Sequence, residues 1–66
     1  MVDGAKIKRM MDSMNITQEE MAEEACISGG MMSYIINGKK SPNIETVVII
    51  AKRLGCKVDD LLVKEQ

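Results

Sequence analysis

The sequence predicts an all-α fold, a compact domain of five short helices. Three observations predict it. Apolar residues recur at spacings of three and four through most of the chain, the pattern of a helix with one buried face. Runs of this kind start behind Asp3, Thr17, Ser28 and Asn43, whose side chains accept hydrogen bonds from free first-turn N–H groups, and several end at Asn or Gly. Few β-branched runs occur outside Thr46 to Ile50, and the one proline, Pro42, stands between runs rather than inside one.

The first helix is expected from about Asp3 to Met14. Asp3 is its N-cap, and Val2 with Ile7 has the spacing of a hydrophobic staple. Ile7, Met10, Met11 and Met14 form a single stripe that packs into the core, while Lys6, Lys8 and Arg9 face elsewhere. Asn15 tolerates a left-handed backbone and stops the helix. The second helix runs from Gln18 to about Ala25. Thr17 and Glu20 make a capping box, and Ile16 and Met21 a staple around it. Met21, Ala22 and Ala25 are its inner face. Glu19, Glu20, Glu23 and Glu24 make a solvated acidic face whose first members favour the helix N-terminus. Cys26 sits in the turn as a small, half-buried filler.

The third helix, Gly29 to Ile36, follows the cap Ser28, with Ile27 and Met32 repeating the staple. It buries Met32, Ile35 and Ile36 and leaves Gly29, Gly30, Met31, Ser33 and Tyr34 outward or at the margin. Two capped helices joined by so tight a turn form an αα-corner. Gly38 ends the third helix, and NGKKSPN, Asn37 to Asn43, is a turn-rich loop with two lysines. The fourth helix continues to Leu54 with Ile44, Val47, Ile50, Ala51 and Leu54 inward, Val48 and Ile49 on the outer flank, and Gly55 as the stop. A fifth helix, about Val58 to Val63, turns Val58, Leu61 and Leu62 inward and carries Asp59 and Asp60 in its first turn. The KEQ tail is expected to fray. Ile7, Met10, Met21, Ile27, Met32, Ile35, Ile44, Val47, Ile50, Leu54, Val58 and Leu61 are expected in one core.

Composition narrows the function. Sixty-six residues make one domain, 1–66. One Tyr with no Phe or Trp leaves an aliphatic core in which seven Met fill much of the volume. Cys26 and Cys56, with no His anywhere, form neither a disulfide framework nor a zinc spacing, so a reduced, cytoplasmic protein is expected. No apolar run is long enough for a signal peptide or a membrane span. A net charge of −1 requires that any attraction to nucleic acid come from local clustering. An enzyme is disfavoured: there is no His, no nucleophile–base pair and no room for a substantial pocket. Ser28 before two glycines reads as a cap, because no base lies nearby in sequence. No cofactor, metal or small-molecule substrate is expected.

IKRMM in the first helix, NITQEEMAEE, the IS opening the third helix, YIINGKKSPNIETVVIIAKRLGC and VDDLL together resemble the Cro and lambda-repressor type of helix-turn-helix domain, the XRE family. The likeness runs from Ile7 to Leu62, with the helix-turn-helix core at 17–38. Thr17-Gln18-Glu19-Glu20, Asn37-Gly38-Lys39 with Pro42, and Ile44-Glu45-Thr46 are specific in combination. The resemblance implies a five-helix lambda-repressor-like bundle and a DNA-binding transcriptional regulator, a repressor. It also implies a third helix in the major groove and a homodimer on a two-fold symmetric operator.

By the same resemblance, Gln18 holds a phosphate at the start of the second helix, and Ser28 caps the third helix beside the DNA backbone. Lys39, Lys40 and Asn43 track the phosphates, and Lys8 and Arg9 add to them. Gly29, Gly30, Met31, Ser33 and Tyr34 face the bases or the groove. The chain departs from the family pattern in four places. Cys26 stands where Gly is usual. Ala25 replaces a larger apolar residue. Met11 and Ile36 occupy the positions of a frequent buried Arg–Glu pair. Gly29 and Gly30 stand where base-reading side chains are common. The glycines, the acidic face and the net charge sustain an alternative, a helix-turn-helix scaffold reused as a protein–protein interaction module.

Overall fold

Each α-helix of the computed structural model, which describes residues 2–63, starts on the cap that the sequence marks. Asp3 caps α1, Gly4–Ser13, accepting from the Lys6 N–H at 3.1 Å. Thr17 caps α2, Gln18–Glu24, in a reciprocal box: its hydroxyl accepts from the Glu20 N–H at 3.1 Å, and the Glu20 carboxylate accepts from the Thr17 N–H at 3.3 Å. Ser28 caps α3, Gly29–Ile36, through the Met31 N–H at 3.0 Å. Asn43 caps α4, Ile44–Leu54, through the Thr46 N–H at 2.9 Å. Each such cap stabilises its helix by about 1 kcal/mol.

The four α-helices also end alike. A residue with positive φ follows each helix, and the next N–H turns back to a carbonyl five residues upstream, which is the Schellman closure. Asn15, Cys26, Gly38 and Gly55 supply the left-handed residue, with φ of 57°, 58°, 73° and 73°. The returning bonds are Ile16 N–H to Met11 O, Ile27 to Ala22, Lys39 to Tyr34 and Cys56 to Ala51, at 2.8–3.0 Å. The tight turn between α2 and α3 is therefore a helix stop followed at once by a helix cap.

The expected fifth helix is absent. Among the described residues, four α-helices are followed by one 3-10 turn, Val58–Leu61. Its bonds span three residues, from Asp60 N–H to Lys57 O and from Leu62 N–H to Asp59 O. The backbone at Leu62 is extended, at φ −90° and ψ 144°, where an isolated antiparallel bridge joins it to Val2. The Asp3 N–H donates to Leu61 O at 2.7 Å. A segment this short cannot offset helix nucleation by itself, and pairing with the residues before α1 claims the Leu61 carbonyl instead. Val2 and Asp3 thereby meet Leu61 and Leu62, closing the start of α1 onto the last turn described. The expected fraying of the KEQ tail falls outside the described residues.

One aliphatic core holds the helices together. Ile7, Met11, Met21, Met32, Ile35, Ile50 and Leu61 are its largest fully buried side chains, joined by Ile16, Ala22, Ala25, Ile36, Val47, Ala51 and Leu54. Burying each large side chain contributes about 1.5–3 kcal/mol before entropy is counted. The radius of gyration is 10.5 Å, close to the value of about 11 Å expected for this length.

Several expectations for the core are corrected. Ile44 is 66% exposed, because it lies in the first turn of α4, beyond the packed stretch, and Thr46 turns inward in its stead. Met14 is exposed and Met10 only half-buried. The buried line of α1 is Gly4, Ile7 and Met11, one turn nearer the N-terminus than the methionines suggest. Ile27 and Val58 are half-buried, and Leu62 is exposed. Cys26 is exposed rather than a half-buried filler, since its left-handed backbone turns the side chain outward. Gly4 was not singled out by the sequence, yet a Cβ there would collide with the Ile35 and Ile36 carbonyls. The start of α1 thus lies directly against the C-terminal end of α3 and fixes how far α3 stands out.

Candidate nucleic-acid interface

The N-termini of α2 and α3 open onto one groove, lined by Thr17, Gln18, Glu19 and Gly29. The caps place it: the Thr17 box starts α2 and the Ser28 hydroxyl starts α3. First-turn N–H groups have no intrahelical partners, and with the helix dipoles they favour an anion. Gln18 is half-buried at the first position of α2. Ser28 is exposed; its oxygen accepts from Met31, which leaves its hydroxyl proton free to donate. Gly29 and Gly30 are exposed, with nothing within 4 Å of a Cβ built on Gly29 and only Ser28 Oγ at 4.0 Å for Gly30. Packing does not demand either glycine.

Farther along α3, Met31 and Ser33 are half-buried, and Met31 packs against the core. Tyr34 is 49% exposed. The Asn37 side-chain amide donates to the Ser33 carbonyl at 2.9 Å and to Ser33 Oγ at 3.4 Å. The Ser33 hydroxyl proton is then directed away from Asn37. The Lys40 ammonium lies over the Tyr34 ring, 5.9 Å from its centroid.

The basic candidates differ in their freedom. Lys39 and Lys40 are exposed in the loop after α3. Asn43 is exposed, with its side-chain oxygen accepting from the Thr46 N–H. Lys8 and Arg9 are exposed on α1 and do not line the groove. Lys8 is held by Asp12 at 3.0 Å, one helical turn away. The structure therefore brings Gln18 and Gly29 together at one end of α3, and Tyr34 and Lys40 at the other.

Sequence reasoning passed over Asn37 and the placement of Glu19. The four-residue spacing from Ser33 to Asn37 was a visible signal for the first. Glu19 belongs by spacing to a solvated face, yet it lines the groove where an anion would dock. On the remaining acidic face, Glu24 bridges to Arg53 of α4 at 2.9 Å, an exposed pair that contributes little. Among the described residues no cluster suits a metal ion, and no helix is long and apolar enough to cross a membrane.

Capped helices at a tight turn, the second standing outward beside two lysines, define a helix-turn-helix domain. A helix-turn-helix family model matches residues 7–61. The chain is 33% identical over 61 residues to the HTH-type transcriptional activator BcrR of Enterococcus faecalis, covering 92% of this chain but 30% of that protein. It is 32% identical over 60 residues to MJ0272 of Methanocaldococcus jannaschii, an uncharacterised HTH-type transcriptional regulator, covering 91% of each. Its fold superposes on the P22 c2 repressor in complex with a synthetic operator with a TM-score of 0.86, at 24% identity over 94% of each chain. The chain belongs to the helix-turn-helix family and is a DNA-binding domain of the Cro and lambda-repressor, or XRE, type. Both of these sequence relatives are HTH-type transcriptional regulators.

Proposed function

We propose that this chain is a cytoplasmic transcriptional repressor that binds double-stranded DNA as a homodimer and sets α3 into the major groove of a two-fold symmetric operator. One observation carries the reading: the N-termini of α2 and α3 converge on a single open groove, with Lys39 and Lys40 at the other end of α3. Gln18, Ser28, Lys39, Lys40 and Asn43 take phosphates, with Arg9 and Lys8 as outlying contributors. The bare backbone of Gly29 and Gly30 lets a phosphate or groove wall approach closely. Met31, Ser33 and Tyr34 are left to meet the bases, Met31 through a thymine methyl. Half-buried Val48 and Ile49, with exposed Leu62 and Val63, supply apolar surface for the two-fold contact. The relatives include both an activator and a repressor, and repression is the sense in which a domain seated in the major groove of an operator can act by occupancy alone.

The test is selection of bound duplexes from a random pool, followed by titration of the winner at several salt concentrations. The expected result is a palindrome with half-sites about one turn, or 34 Å, apart, and affinity that falls steeply with salt. Discrimination from random duplex should sit near the low end of the usual range, about 10³. A single unpaired half-site would remove the dimer. No binding even at low salt would favour the second reading, a protein-interaction module, which the exposed run of Glu19, Glu20, Glu23 and Glu24 supports.

A further inference from the structure

We propose that Tyr34 is a positioning residue for Lys40: its ring holds the ammonium at the edge of α3, and the two act on a DNA phosphate as one unit. The inference rests on the DNA-binding reading above and changes what Tyr34 does within it. Three observations carry it. The Lys40 ammonium lies over the ring at 5.9 Å, within the range of a cation–π attraction. The N–H groups of Lys39 and Lys40 both donate to the Tyr34 carbonyl, at 2.8 and 3.3 Å, so the backbone is folded back over the residue that carries the ring. Tyr34 is half exposed, Lys40 is exposed, and Lys40 enters no salt bridge among the described residues.

The ammonium is thus oriented without being neutralised or desolvated. A lysine on an open loop loses rotamer freedom when it docks on a phosphate, and a ring that already restricts the side chain reduces that loss. Lys8 is held by a carboxylate, which competes with phosphate. A ring competes far less, because its attraction for the cation is weak and leaves the outer side of the ammonium open. The face of Tyr34 covered by Lys40 is correspondingly withdrawn from base stacking.

Tyr34 is the only aromatic residue of the chain, so its ring is the only source of aromatic ring current. The test therefore has a part without DNA and a part with it. In the free protein, the Lys40 ε-methylene protons should be shifted upfield, the shift surviving in Tyr34→Phe and vanishing in Tyr34→Ala. With the selected duplex, Tyr34→Ala should weaken binding about two- to fivefold, the equivalent of an exposed cation–π contact. Lys40→Ala should lower the log–log salt slope by about 0.9, one phosphate contact. The double variant should lose no more than Lys40→Ala alone, and Tyr34→Phe should bind as the parent does. Melting curves of the variants should match the parent, since neither side chain belongs to the core. An absent ring-current shift, losses that add in the double variant, or Tyr34→Phe behaving as Tyr34→Ala would each overturn the inference while leaving DNA binding intact. Failure of the parent chain to bind any duplex would overturn the functional reading itself.

Discussion

Cys26 occupies a left-handed backbone site, φ 58°, that glycine adopts without steric cost. It is the only one of the four helix-ending left-handed residues that is neither Gly nor Asn. Cys26→Gly should stabilise the domain by about 1 kcal/mol, raising Tm by roughly 4–8 °C for a chain of this size. A calorimetric Tm that stays level or falls would mean that the thiol makes a compensating contact. The other cysteine differs in its chemistry. Cys56 is half-buried, and burial first, then the nearby Asp60 carboxylate, pushes its thiol pKa up, with Lys6 opposing. The thiolate is the nucleophile, so a raised pKa means less of it at any pH up to that pKa. Maleimide should therefore label Cys56 more slowly in the native protein than in urea, and the gap should narrow as pH rises. Equal rates in both states at neutral pH would contradict the burial.

At the scale of the helices, α1 and α3 decide how the interface is presented. Gly4 seats the start of α1 on the Ile35 and Ile36 carbonyls, and Met11 and Ile36 are both apolar and buried, at positions where the family resemblance implies an ion pair. An apolar pair strands no charge. Met11→Arg alone should cost several kcal/mol, and adding Ile36→Glu should recover part of that loss. Urea midpoints for the two single variants and the double test this; additivity would mean that the side chains are not neighbours. Gly29 and Gly30 weaken α3 by up to about 1 kcal/mol each relative to Ala, with open space where a Cβ would go. Gly30→Ala should therefore raise stability by about 0.5–1 kcal/mol. If the bare backbone serves close approach, the same variant should bind the selected duplex more weakly. Gains in both quantities would remove the close-approach role.

For the whole molecule, electrostatics set the terms of binding. The net charge is −1, so the field that draws in DNA is local, and Glu19 works against it from inside the groove. Glu19→Gln should strengthen binding to specific and random duplexes alike, by about 1 kcal/mol at low salt, with the gain fading as salt screens it. Fluorescence anisotropy at two salt concentrations would decide; a gain confined to one sequence would assign Glu19 a part in base selection instead.

Local chemistry was legible in the residues themselves. Asp3, Thr17, Ser28 and Asn43 cap the α-helices where the sequence places them, and Asn15, Gly38 and Gly55 stop them, because caps and stops depend on contacts three to five residues apart. The inward faces of α2 and α3 follow from spacing for the same reason. The resemblance to the XRE type rests on these same local patterns. Contacts distant in sequence were decided only by the tertiary structure. Pairing of Val2 with Leu62 draws the last segment out of a helix, and only the approach of α3 gives Gly4 its steric role. Ile44 has the right spacing for the core but lies past its edge, a limit that neighbouring helices impose. Lys40 meets Tyr34 only because the loop folds back onto α3. Periodicity reports which face of a helix is apolar, whereas the partner's position determines how much of that face is covered.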